Sequence, residues 1–256
     1  LLVHAPTIAS REAYARTLRP LAHLQAAHAF VRAARGDAPF PWALAHWTML
    51  LGAYLGYGLS PAEALRGRVT ADLTWAHERH APARDLAAFE RQAAPVVDDL
   101  ADDFLRRWLA DPPPDTWYGC FRYDVEPEPG LISLHFYNAV MPVSPFADPE
   151  ALADDLRQCL LAASRQVPDA ERLQCGSWVN NLPPIRAVLP RRYVESLAPT
   201  DPDAKTGLGW WGQFVTSEGT IHTERAERLL ATGEFRYPRL LGRCTLGEAL
   251  AHLGVG

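Results

Sequence analysis

Lysine is nearly missing from this 256-residue chain: Lys and Arg together number 25, and Lys205 is the single lysine. Chemistry that needs a side-chain amine, such as a Schiff base or a lysine cradling phosphates, therefore has one candidate, and Lys205 sits in a polar loop, Ala198 to Gly209, outside every cluster considered below. GC-rich coding explains the arginine excess, and selection for always-charged, bidentate groups is the alternative. Glycine-rich nucleotide loops are also missing. Neither GxGxxG nor GxxxxGK[ST] occurs, which disfavours a doubly wound nucleotide-binding sheet. Cysteine is scarce and scattered: Cys120, Cys159, Cys175 and Cys244 form no CxxC pair and no Cys/His ladder, so neither a disulfide framework nor a zinc module is expected. Charge of one sign is not in excess either. A net charge of −5 gives no general basic surface, which argues against a nucleic-acid partner. Long apolar runs reduce to Pro41–Leu59, and His46, Thr48, Gly52, Gly56 and Gly58 interrupt it, so it reads as a buried helix with no membrane role. Leu1 to Ile8 offers no charged start and no apolar run of a signal peptide, and a reducing cytoplasm is the expected location.

What is present is the mix of an ordinary soluble protein, with 48% apolar and 21% charged residues. The first 111 residues read as helices. Ser10 is placed to cap one helix, and Pro20 to open another that carries Leu21, Leu24, His28 and Val31 on one face. Phe40-Pro41 opens the apolar helix. Ser60-Pro61-Ala62-Glu63 is a capping box. From Ala83 to Ala110 a stripe of Leu86, Phe89, Ala93, Val96, Leu100, Phe104 and Trp108 predicts a long helix, kinked or split at Pro95, with Asp98, Asp99, Asp102 and Asp103 off the stripe. Asp111-Pro-Pro-Pro-Asp115 ends this region as an extended spacer.

Residues 117–256 mix strands and helices. Trp117–Val125 and Leu131–Asn138 predict a hairpin, and Asp148-Pro149-Glu150 starts a helix with Leu152, Leu156, Leu160 and Ala163 on one face. Arg172–Val179 reads as a strand followed by a turn at Asn180 to Pro184 and a short helix. Trp211–Thr216 and Thr220–His222 read as a last hairpin, and Thr245-Leu-Gly-Glu248 as a second capping box. The expected fold class is α+β, a helical region 1–111 before a mixed sheet domain 117–256, with one shared core or two separate ones as the open alternatives.

Three stretches carry the candidate chemistry. In Leu131–Asn138, alternation puts Ser133, His135 and Tyr137 on one strand face and Ile132, Leu134 and Phe136 on the core face. Histidine titrates near neutrality, so His135 beside two hydroxyls is the candidate general acid or base; a structural histidine is the alternative. Gln174 to Asn181 gathers Cys175, Ser177, Trp178, Asn180 and Asn181 at a strand end, where sheets place ligands. Cys175 is a candidate nucleophile if a base lies beside it, and otherwise a small buried apolar residue. Gly207-Leu-Gly-Trp-Trp-Gly-Gln213 pairs two tryptophans, one expected in the core and one over a cleft, with Trp211 and Gln213 as candidate binding residues and His222 on the partner strand. His77 and His80 share a helix face, but no Glu-x-x-His pair exists for a di-iron site and no metal is expected; His28 reads as a satisfied core histidine.

Leu134-His135-Phe136, Asp148-Pro149-Glu150, Cys175-Gly176-Ser177-Trp178 and Val188-Leu189-Pro190 occur in an order that resembles bacterial acyltransferase-domain proteins with a GNAT-like C-terminal domain. The resemblance covers about residues 118–190. It implies a GNAT-like sheet, acyl transfer, and acyl-CoA or an acyl-carrier thioester as co-substrate. Gly176 stands where that family shows histidine, and the pantetheine-cradling Gly-rich motif of typical GNAT enzymes is absent. Three functions compete: a small-molecule acyltransferase or related tailoring enzyme with His135 as base, a cofactor-free hydrolase, cyclase or isomerase in the same pocket, and a non-catalytic protein that binds a small molecule or partner.

Overall fold

The computed structural model describes residues 8–52, 63–110, 117–201 and 205–255. The expected capping box at Ser60 to Ala62 and the proline spacer at 111–115 lie outside them, as does the side chain of Trp108. The chain is α+β.

Its first half is helical. Helix α1 (Ile8–Ala34) packs on α4 (Leu86–Ala110), with α2 (Phe40–Trp47) and α3 (Glu63–His80) alongside. Ser10 lies inside α1 rather than at a cap, and the helix runs through Pro20 where a new one was expected. Pro95 likewise fails to split α4. Both prolines face solvent, where water takes the carbonyl that a missing N–H leaves open. The α4 stripe is buried from Phe89 to Phe104, and the acidic edge beside it faces cations: Asp98 lies 2.9 Å from His23 and 3.4 Å from Arg19, and Asp99 lies 2.9 Å from Arg68.

Next come β1 (Phe121–Val125) and β2 (Leu131–Phe136), an antiparallel hairpin turned through Gly130 at φ +73°. Helix α5 (Pro149–Gln166) starts where the sequence places it: the Asp148 carboxylate accepts from the N–H groups of Glu150 and Ala151, 3.1 and 3.0 Å away. It carries the chain to β3 (Arg172–Ser177), parallel to β2. Short helices α6 (Pro183–Ala187) and α7 (Arg191–Glu195) precede β4 (Ala198–Pro199), α8 (Leu208–Trp211), α9 (Thr223–Thr232), β5 (Leu240–Thr245) and α10 (Leu246–His252). The mixed sheet has the order β1-β2-β3-β5-β4. Thr245 and Glu248 close the capping box of α10 as predicted.

The last hairpin is a correction. Its turn exists, with Val215 bridging Ile221, but the segment expected as its first strand is α8 followed by a 3-10 turn over Gly212–Phe214. Strand β5 and helix α9 carry no clear alternation or cap in the sequence and were not anticipated.

Two cores hold the molecule. One lies between the sheet and α5, where Ile132, Leu134, Leu156, Leu160, Leu173 and Tyr193 meet. The other joins the two halves: Phe30, Leu44, Trp47, Leu73 and Phe89 pack with Trp117, Tyr137, Trp211, Phe214 and Leu229. Lys205, expected in a polar loop, is only 8% exposed. Its ammonium lies 5.4 Å from the ring of Trp47 and 5.5 Å from that of Trp210, so the cation–π faces compensate part of its lost hydration. Among the described residues, no helix is long and apolar enough to cross a membrane.

Candidate functional site

The parallel ladder between β2 and β3 ends at Ser133 opposite Gln174, although β2 runs on to Phe136 and β3 to Ser177. The strands part there, and a cleft of about 770 Å³ begins in the gap. Leu134 to Phe136 and Cys175 to Ser177 form its floor. The loop holding Met141 and Phe146 covers one side, with Phe146 stacked on Phe136 at 5.7 Å, and Trp178, Trp210 and His222 wall the other.

His135 is at the floor of this cleft with 40% of its side chain exposed. The hairpin register sets Arg122 directly opposite it and Asp124 diagonally across, all three on one sheet face. The His135 Nε2 atom lies 2.9 Å from Asp124 Oδ2, within ion-pair distance. Arg122 grips the same carboxylate at 3.1 and 3.2 Å. His135 first, and Arg122 after it, hold the Asp124 carboxyl below its ordinary range, and it stays ionised beside the imidazole. Ser133 is not part of this group. Its hydroxyl donates to Glu126 and accepts from Gln174 at 3.0 Å.

The cleft brings together six of the residues expected from sequence: His135, Tyr137, Cys175, Ser177, Trp178 and His222. Ser177 Oγ accepts from the Val179 N–H at 3.3 Å, which leaves its own proton to donate elsewhere. His222 is the residue before α9, not a strand residue, and its ring borders the cleft from there.

Five expectations fail. Asn180 is fully buried: its amide donates to the carbonyls of Cys175 and Leu240 at 2.9 and 2.8 Å, and its oxygen accepts from Tyr193, which leaves nothing for an oxyanion. Asn181 is spent on the carbonyls of Trp178 and Pro238, both at 2.8 Å. Gln213 is buried and ties the carbonyls of Trp210 and Tyr237 to its own helix turn. Trp211 is the core member of the tryptophan pair, its indole N–H on the Lys205 carbonyl at 2.8 Å, and Trp210 is the one at the cleft. Cys175 borders the cleft but is 5% exposed on the α5 side of the sheet, and burial pushes its thiol up to about 11. No thiolate forms there at neutral pH. A Cys175→Ala variant is expected to keep its ligand binding and any turnover, and iodoacetamide at pH 7 is expected to leave Cys175 unlabelled in a peptide map.

His28 is a correction of another kind. It is a core histidine, but neither ring nitrogen finds a partner among the described residues; Trp211, Phe235 and Trp47 surround it at 5.6, 5.7 and 6.3 Å. His77 stacks on Phe40 at 4.5 Å, and His80 lies 2.7 Å from Gln92. Among the described residues no cluster of His, Cys, Asp and Glu could hold a metal ion.

Sequence reasoning missed the arginines. Arg122, Arg225 and Arg239 all line the cleft, together with the two histidines, and among the described residues no aspartate or glutamate does. A chain of net charge −5 thus has a cationic cleft. Hairpin register makes Arg122 and Asp124 legible beside His135, whereas Arg225 and Arg239 arrive from distant segments without a local pattern.

Comparison with protein-family models, curated proteins and solved structures returned no match.

Proposed function

We propose that this chain is a small-molecule acyltransferase in which His135 is the general base. The parting of β2 and β3 directly beside His135 is the observation that carries the reading. Strands that separate within a sheet free ladder N–H and C=O groups, and an extended, amide-bearing arm such as that of acyl-CoA or an acyl-carrier thioester is a natural occupant. The β1–β2 hairpin and the α5 crossover support the GNAT-like reading of the sheet. At the position where the resembled family has histidine, Gly176 leaves room for Arg239, and His135 on the neighbouring strand is the base in reach of the gap.

In this mechanism His135 Nδ1, the ring nitrogen not facing Asp124, takes the proton of an acceptor amine or hydroxyl as the acceptor's lone pair attacks the thioester carbonyl. Asp124 stabilises the imidazolium, the Ser177 hydroxyl donates to the developing oxyanion, and collapse breaks the C–S bond while the imidazolium returns its proton to the departing thiolate. Trp178 and Trp210 exclude water. Four buried free thiols fit a reducing cytoplasm.

The test is release of free thiol from acetyl-CoA and longer acyl-CoAs with a panel of amine, alcohol and carboxylate-bearing acceptors. Acceptor-dependent release is expected, and His135→Ala should lower kcat/KM by about 10²–10⁴-fold while the thermal melt is unchanged. No acceptor-dependent release, or a His135→Ala enzyme as fast as the parent, would overturn the reading.

A further inference from the structure

Several arginines have an acidic partner: Arg32 pairs with Asp37, Arg172 with Glu128, Arg157 with Asp154 and Arg122 with Asp124. Arg225 and Arg239 do not. Among the described residues neither has a carboxylate within ion-pair distance, though both lie in the same cleft and both lose hydration there, enough for burial to lower each guanidinium from its ordinary range. They remain charged all the same.

Each is also fixed in place. Arg239 donates Nε to the Gly176 carbonyl at 3.0 Å and lies flat over β3; a Cβ at Gly176 would come within 2.4 Å of its Nη2, and one at Gly209 within 2.9 Å of its Nε. Two glycines thus make the slot for one guanidinium. Arg225 donates Nη1 to the Gln213 carbonyl at 2.7 Å and sits 6.0 and 5.4 Å from the rings of Trp178 and Tyr237, which stack on each other. Its Nε is buried with no partner. A half-buried guanidinium with unused donors is costly unless something supplies the opposite charge.

We propose that Arg225 and Arg239 form an oxyanion-binding subsite, one that takes the carboxylate or phosphate group of a small molecule whose planar or apolar body lies on the aromatic wall of the cleft. The fork geometry of guanidinium matches two oxygens of either group, and with no acidic residue in the lining among the described residues the ligand is the counter-ion. The subsite stands whether or not the ligand is acylated, because it rests on charge and burial rather than on His135.

Trp178 and Trp210 border the subsite, so tryptophan fluorescence reads occupancy. The probes are benzoate, its neutral isostere benzamide, and inorganic phosphate, titrated to about 20 mM, where binding worth about 2–3 kcal/mol is visible. Saturable quenching by benzoate or phosphate is expected, at least tenfold weaker with benzamide than with benzoate and weakened by added salt. A carboxylate source is indicated by benzoate binding the tighter, a phosphate source by the reverse. Arg225→Gln and Arg239→Gln should each weaken anion binding about tenfold or more, while Arg239→Lys, which keeps charge and stem if the glutamine variant is poorly folded, should retain part of it. Equal binding of benzoate and benzamide, no saturable response to either anion, or parental affinity in the folded glutamine variants would each overturn the subsite. Acyl transfer is judged separately, by thiol release.

Discussion

Taking the protein from pH 7 to pH 3 is expected to cost about 4–5 kcal/mol of folding stability through His28 alone, and a His28→Leu variant should not show that loss. The imidazole is fully buried among Trp47, Trp211 and Phe235 with both nitrogens unpartnered, and burial first, then the charges of Arg32, Lys205 and Arg35, pull its pKa down from 6.5 to about 3. In the unfolded chain it titrates at its ordinary value. Between those two values the unfolded state binds a proton that the folded state refuses, so the full stability is present above about pH 6.5 and drains by about 1.4 kcal/mol per pH unit as the pH falls toward 3. Urea unfolding of both proteins at pH 7 and pH 4 measures it. At pH 4 the parent should have lost about 3 kcal/mol more than the variant, and at pH 7 the leucine should be neutral or stabilising, because no hydrogen bond is given up. Parallel pH profiles for the two proteins would show that the ring is hydrated or paired in solution.

The second large effect lies one ring away. Trp211→Ala is expected to cost about 3–5 kcal/mol, since it empties a fully buried indole from the contact between the two halves of the chain. Three aromatic neighbours, His28, Phe214 and Phe235, lie within 5.6 Å of its ring, and its N–H is the partner of the Lys205 carbonyl. Loss of the indole therefore removes packing and strands a backbone acceptor at once. Guanidinium unfolding reads the change, and a cost below about 1 kcal/mol would mean that the interface collapses to fill the space.

Helices were legible where their signals are local, and misread at Ser10, Pro20 and Pro95 and in the apolar run from Pro41, whose helix ends at Trp47. The α4 stripe repeats at helical spacing, the Asp148 cap sits where its proline and glutamate say, and buried Leu152, Leu156 and Leu160 follow from the same periodicity. The α8 segment was misread because two aromatic residues between glycines have high strand propensity, and only the packing of Trp211 against α1 makes the helical turn preferable. At the site, period-two alternation on β2 put His135 on the polar face, where the cleft is, though Leu134 and Phe136 of the other face border it too. Alternation was not enough for Asn180, Asn181 and Gln213, since an amide that serves a ligand and an amide that closes a turn have the same letter. The cationic character was hidden for a different reason: Arg225 and Arg239 border one cleft only after the fold brings their distant segments together, and nothing within either segment marks it.

The core that runs from α1 and α2 into Trp210, Trp211 and Phe214 has a consequence for how the protein breathes. Trp210 belongs both to that core and to the cleft wall, so the wall cannot loosen without also loosening the helices behind it. Amide protons of α1 and α2, whose described residues do not line the cleft, should exchange more slowly once the cleft is filled.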